Sequence, residues 1–234
     1  LLSRYLLNDL RELKGDKYGA VAKALMDGLV SRDTQIALNE SKAAVTLSRL
    51  GWDGALKEGE CGENCYADYL YINEANLGVN KANFFIYRDM IVQAVINEES
   101  IKRKVSVMYE NTSKNTTWPA GDYKAYVRVY VPRDVSVSEV AIVDTKHPEN
   151  RLVLDNSSMQ ISSVMGKKEI AIWMTVPVTS KRTLEINYEG SIADKAAGQT
   201  VDYLMYWQRQ SGYGKRTNAS VIVQMPATWK PVSV

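Results

Sequence analysis

The chain has 234 residues, with 29 Lys+Arg against 27 Asp+Glu and one histidine, a formal net charge of +2. Its 45% hydrophobic and 24% charged residues describe a folded globular chain and exclude a disordered segment, a collagen or a disulfide-dense miniprotein. No apolar run approaches the roughly 20 residues a membrane helix needs, and the near balance of charge argues against a general nucleic-acid binder.

The chain begins Leu1-Leu2-Ser3, without a methionine and without a charged stretch leading into an apolar run. No signal peptide is visible, and the expectation is a fragment or processed product whose targeting signal or anchor lies outside it. The first third reads helical. Leu2, Leu6, Leu10 and Leu13 form one stripe, and Tyr18, Val21, Ala22, Leu25, Met26 and Leu29 form another, with Gly15 between them. A short extended segment is expected over Thr34 to Leu38. Ser41 is the expected N-cap of a third helix that Gly51 ends near Leu50.

From about Tyr66 the period changes to two. Strands are expected over Asp68 to Asn73, Tyr87 to Ile96 and Lys102 to Tyr109, the last two joined through Asn97-Glu98-Glu99-Ser100. Tyr123, Ala125, Val127, Val129 and Val131 share one face of the next strand, and Lys124, Tyr126, Arg128 and Tyr130 share the other. One face on a core and one toward water is the antiparallel pattern. Ile170, Ile172, Met174 and Val176 repeat it, as do Leu184, Ile186 and Tyr188, then Val201, Tyr203, Met205 and Trp207, and finally Val221, Val223 and Met225. The expected fold is α+β. A helical segment over residues 1–65 leads into an antiparallel β-sandwich of immunoglobulin-like character over residues 66–234.

Chemistry-bearing residues are few. Cys61 and Cys65 stand as C-x3-C, a spacing open to a small disulfide loop, to two free thiols or to metal or redox work. The disulfide is the reading we carry forward. His147 precedes Pro148 in a loop, and no G-x-S-x-G elbow supplies a serine for it. No phosphate loop, zinc-protease helix or EF-hand loop is present, so no catalytic residue, no metal site and no cofactor is assigned. The carboxylates of Glu98 and Glu99 belong to a solvated turn. N-x-[ST] sequons occur at Asn39, Asn111, Asn115, Asn156 and Asn218. Tyr and Trp, 14 and 5 against 2 Phe, suit half-buried sheet faces and contact surfaces.

Four segments carry a resemblance. They are Leu50-Gly51-Trp52-Asp53-Gly54, the run Asp68 to Asn83, Trp118-Pro119-Ala120-Gly121-Asp122-Tyr123 with Tyr126 to Pro132 after it, and Tyr203 to Gly212. In order and spacing they resemble the carboxy-terminal part of a bacterial surface-protein family known as domain of unknown function 4012. The resemblance implies an amino-terminal membrane helix and an extracytoplasmic location at the cell surface. That helix and the family's Arg-Pro-Thr-Gly-Gly-Phe segment are absent from this chain, and the Cys61–Cys65 insert is not a family feature.

Within these segments Gly78 is expected at a turn needing positive φ, pinned by Asn76, Asn80 and Asn83. Trp118 and Tyr123 are expected to pack across the Pro-Ala-Gly turn. Asn76, Asn80, Lys81 and Asn83 are the candidate binding residues. The expected role is a non-catalytic structural or adhesive module. Its partner would be cell-wall glycan or another surface protein, not nucleic acid, and it would meet the membrane only through a segment outside the chain. The competing readings are part of an enzyme acting on cell-envelope polymers and a subunit that polymerises through sheet edges.

Overall fold

The computed structural model describes residues 2–57, 61–62, 65–192, 202–213 and 216–229. They fall into two compact units, Leu1–Lys57 with Arg209–Gly212, and Glu58–Gln208 with Tyr213–Val234. Among the described residues no helix is long and apolar enough to cross a membrane.

The first unit holds α1 (Leu2–Arg11), α2 (Gly15–Val30) and α3 (Ser41–Leu50). Gly51, with φ 74°, closes α3 as expected of a left-handed C-cap. The N-cap of α3 is Glu40 rather than Ser41. Its carboxylate accepts from the amides of Lys42 and Ala43 at 3.0 and 2.6 Å, placing a full negative charge at the positive end of the helix. The strand expected over Thr34 to Leu38 does not form. Ile36 bonds to the Trp52 carbonyl and Thr34 to that of Gly28, and no ladder follows. The second stripe is only partly covered: Leu29 is buried, whereas Tyr18, Leu25 and Met26 are exposed. In the first stripe Leu10 is exposed, and the side chains of Leu2 and Leu6 lie outside the described set. Asp33 ties residues 209–212 into this unit, accepting from the Gly212 amide at 2.8 Å.

The second unit is built from β1 (Cys65–Asn76), a short 3-10 turn (Ala82–Phe85), β2 (Ile86–Ile96), β3 (Ser100–Asn111), β4 (Tyr123–Pro132), β5 (Ser136–Asp144), β6 (Arg151–Val153), β7 (Met159–Val164), β8 (Lys167–Val176), β9 (Lys181–Ser191), β10 (Asp202–Gln208) and β11 (Thr217–Gln224). One sheet runs β10-β1-β4-β8-β7 and the other β11-β2-β3-β9-β5-β6. The interior neighbours pair antiparallel, as the alternation requires. Both sheets are nevertheless mixed, because β10 lies parallel to β1 and β11 parallel to β2.

Alternate residues of both sheets meet in one apolar core. Leu70, Ile72, Val127, Val129 and Ile172 come from the first sheet and Val92, Val105, Val107, Leu184 and Ile186 from the second. The last expected apolar set fails, because Val221 and Val223 are exposed on β11, an edge strand with no second neighbour among the described residues, and Met225 just after it is exposed too. Tyr203, Met205 and Trp207 do face inward, while Val201 lies outside the described residues. Cys61 and Cys65 form a disulfide, with Cα atoms 5.4 Å apart in the usual range.

Candidate functional site

The turn after β1 carries the four candidate binding residues, and the structure brings them together. The Asn76 side-chain amide donates to the Asn80 carbonyl at 3.0 Å, to Asn80 Oδ1 at 3.2 Å and to Asn83 Oδ1 at 3.1 Å. Asn76 Oδ1 accepts from the Gly78 amide, and Asn80 Oδ1 from that of Ala82. Asn80 Nδ2 reaches the Asp122 carbonyl at 2.9 Å, and the Lys81 amide reaches the Pro119 carbonyl at 2.8 Å. The asparagine amides therefore stitch the β1–β2 loop to the β3–β4 loop. The Lys81 side chain is exposed.

Gly78 is not the left-handed residue of this turn. Val79 is, with φ 56°, and it is 96% exposed. What a side chain at position 78 would meet is close approach instead: a Cβ there would lie 3.2 Å from Asn76 Oδ1 and from both amide atoms of Asn80, which would have to shift. Trp118 and Tyr123 do not pack on each other across their turn. Trp118 points to solvent, and Tyr123 is buried with its hydroxyl 2.6 Å from Glu74 Oε2.

That contact belongs to a buried cluster the sequence reading missed. Glu74 on β1 receives Arg88 of β2 through Nε at 3.0 Å and Nη2 at 2.8 Å, together with the hydroxyls of Tyr123 and Tyr213. The guanidinium also lies over the rings of Tyr109, Tyr123 and Tyr213. Burial alone would raise the Glu74 carboxyl, but Arg88 and the phenolic donors outweigh it and hold it below the usual carboxylate range. Burial and the neighbouring carboxylate push the Tyr123 and Tyr213 phenols up.

A second cluster repeats the plan six residues earlier on β1. Asp68 of β1 takes Arg103 Nε of β3 at 2.6 Å and the Tyr203 hydroxyl at 2.7 Å, with Arg103 over the rings of Tyr66 and Tyr188. Gly190 leaves room for it, since a Cβ there would lie 2.8 Å from the Tyr66 hydroxyl. Each cluster joins the two sheets through an acid on one and an arginine on the other. With an ionised carboxylate facing phenols that keep their protons, the Glu74 cluster fastens rather than transfers protons at neutral pH.

The accessible chemistry lies on the outer face of the first sheet. The β4–β8 register sets Tyr126 opposite Trp173 and Arg128 opposite Ala171, and the β1–β4 register sets Tyr71 opposite Tyr130 and Asn73 opposite Arg128. Tyr126 and Trp173 pack with ring centroids 4.9 Å apart, and Tyr71 stacks on Tyr130 at 5.6 Å. Arg128 lies over the Tyr126 ring and donates through Nη2 to Asn73 Oδ1 at 2.8 Å. Trp173 is 60% exposed, Tyr126 and Arg128 are half-buried, and Ala171, opposite Arg128, is buried. The Tyr130 phenol is pushed up to about 12 by burial and by its hydrogen bond to Glu169. His147 lies exposed in the β5–β6 loop, 3.2 Å from Glu149. Among the described residues no group of three His, Cys, Asp or Glu side chains is placed to hold a metal ion.

The chain matches no known family profile and no curated protein. One solved structure with some likeness is described as a putative nutrient binding protein of Legionella pneumophila. It has a TM-score of 0.33 and 9% identity over 50% of this chain, which spans 41% of that protein's length.

Proposed function

We propose that this chain is a non-catalytic, extracytoplasmic module of a bacterial membrane-anchored surface protein. Its two-sheet unit is of immunoglobulin-like character, and it recognises cell-wall glycan on the outer face of the first sheet. The observation that carries the reading is the Tyr126–Trp173 pair with Arg128 and Asn73 beside it. Pyranose rings present apolar C–H faces edged with hydroxyls. An exposed indole takes such a face, and a guanidinium and an amide a few ångströms away take the hydroxyls. The first sheet holds these groups on adjacent strands, so the geometry exists before the ligand arrives. The Cys61–Cys65 disulfide supports an oxidising compartment, and the resemblance to the surface-protein family supports the anchoring.

Affinity electrophoresis through gels containing soluble cell-wall polysaccharide tests the reading. The protein is expected to be retarded, and Trp173→Ala to abolish the retardation while the protein stays folded, losing about 1 kcal/mol with the Tyr126 ring contact. Equal mobility of the two proteins with every polysaccharide would overturn the glycan site.

A further inference from the structure

The end of the second unit where β1 and β4 meet their loops carries a different surface. Leu77 is 51% exposed, Val79 96%, Phe84 66% and Trp118 71%. They sit on the β1–β2 and β3–β4 loops, which the Lys81–Pro119 and Asn80–Asp122 bonds fasten together. Residues 77–85 and 112–122 contain Lys81, Lys114 and one carboxylate, Asp122, whose Oδ1 accepts from the Val178 amide at 3.1 Å. Arg216 adds a third cation, its guanidinium 4.9 Å above the Phe84 ring.

We infer that this tip inserts peripherally into the headgroup region of an anionic lipid bilayer. The residue types fit that phase. Trp and Phe settle at the boundary between headgroup and hydrocarbon, aliphatic side chains enter it, and lysines reach back to lipid phosphates. The tip is built from two loops and tops out at Val79, which suits a yielding lipid surface better than the flat core of a protein interface. Its cations Lys81, Lys114 and Arg216 outnumber its one carboxylate, Asp122, so its net charge is complementary to anionic headgroups. The asparagine network holds Val79 in a left-handed conformation that a β-branched residue reaches only under constraint, so the loop presents this side chain outward at a cost to itself. Neither the glycan face nor an anchor is needed for this contact, and a failure of one leaves the other standing.

Cosedimentation of the whole chain with vesicles tests it. Binding is expected to vesicles of phosphatidylcholine mixed with phosphatidylglycerol, and much less to phosphatidylcholine alone. The pair Lys81→Glu and Lys114→Glu should weaken it by about tenfold or more. Val79→Asp should weaken it several-fold without lowering the melting temperature, and Trp118→Phe should remove most of the lipid-induced blue shift of tryptophan emission. Equal partition of wild type and Val79→Asp would overturn the proposal. So would sedimentation equilibrium showing a dimer that Val79→Asp dissociates, since the tip would then be a contact between copies of this chain.

Discussion

Val79 combines two properties that rarely coincide: a β-branched side chain at φ 56° and almost no contact with the rest of the protein. The left-handed region costs an L-residue about 1–2 kcal/mol through the approach of Cβ to the carbonyl oxygen, and an exposed valine recovers none of it by burial. Asparagine tolerates the region because its amide bonds locally. Val79→Asn is therefore expected to stabilise the second unit by about 1 kcal/mol, seen as a rise of roughly 2–4 °C in Tm for a domain of this size. The same change should weaken vesicle binding. A variant that melts lower than the parent would show that Val79 is not strained.

At the scale of elements, β11 stands apart. Among the described residues it joins its sheet through one parallel ladder, to β2, and almost every residue of it is exposed. Few buried contacts back its hydrogen bonds, so it should open locally well below the global unfolding free energy. Hydrogen exchange is expected to label Ser220 to Val223 before the facing amides of β2, and those of β3, paired on both sides, last. Equal protection of β11 and β3 would contradict that order.

β11 also shows what the alternation of apolar residues can and cannot reveal. Period two locates a strand but not its place in the sheet, so Val221 and Val223 read as core and lie at an edge. β5 escaped notice because a bulge between Val137 and Glu139 breaks its period, and β7 because its polar residues follow from edge exposure. Asp68, Glu74, Arg88 and Arg103 occupy inward slots of otherwise apolar runs. The signal for both buried clusters is thus present in the sequence, as charged residues in the inward register of β1, β2 and β3, but it does not say which acid meets which arginine. Tyr126 and Arg128 were legible on the outer face of β4. Their neighbours Trp173 and Asn73 depend on strand pairings that periodicity does not supply. The asparagine turn was legible from its residue types, and the left-handed position within it was not, because valine carries no turn preference.

For the molecule as a whole, the two acid–arginine pairs are the charged ties described between the sheets, beside the apolar core and the Asn111 side-chain bond to the Val176 carbonyl. Buried pairs add modest net stability when intact, but loss of one partner leaves a desolvated charge and costs about 3–5 kcal/mol. This gives the protein a definite acid response. The folded-state pKa of Glu74 is lowered, because Arg88 and the tyrosine hydroxyls together outweigh its burial. Its contribution is then fully present above the unfolded glutamate value, about 4.3. It is lost as pH falls from there through the lower folded value, because the unfolded chain takes up the proton first. Denaturant midpoints from neutral pH downward should hold flat and then fall within that window. Glu74→Gln should start lower, by an amount set by the unpaired Arg88, and fall less steeply, since the proton it would bind is no longer needed. If wild type and Glu74→Gln lose stability in parallel through that window, the acid sensitivity resides in other carboxylates and Glu74 is not the tie that acid releases.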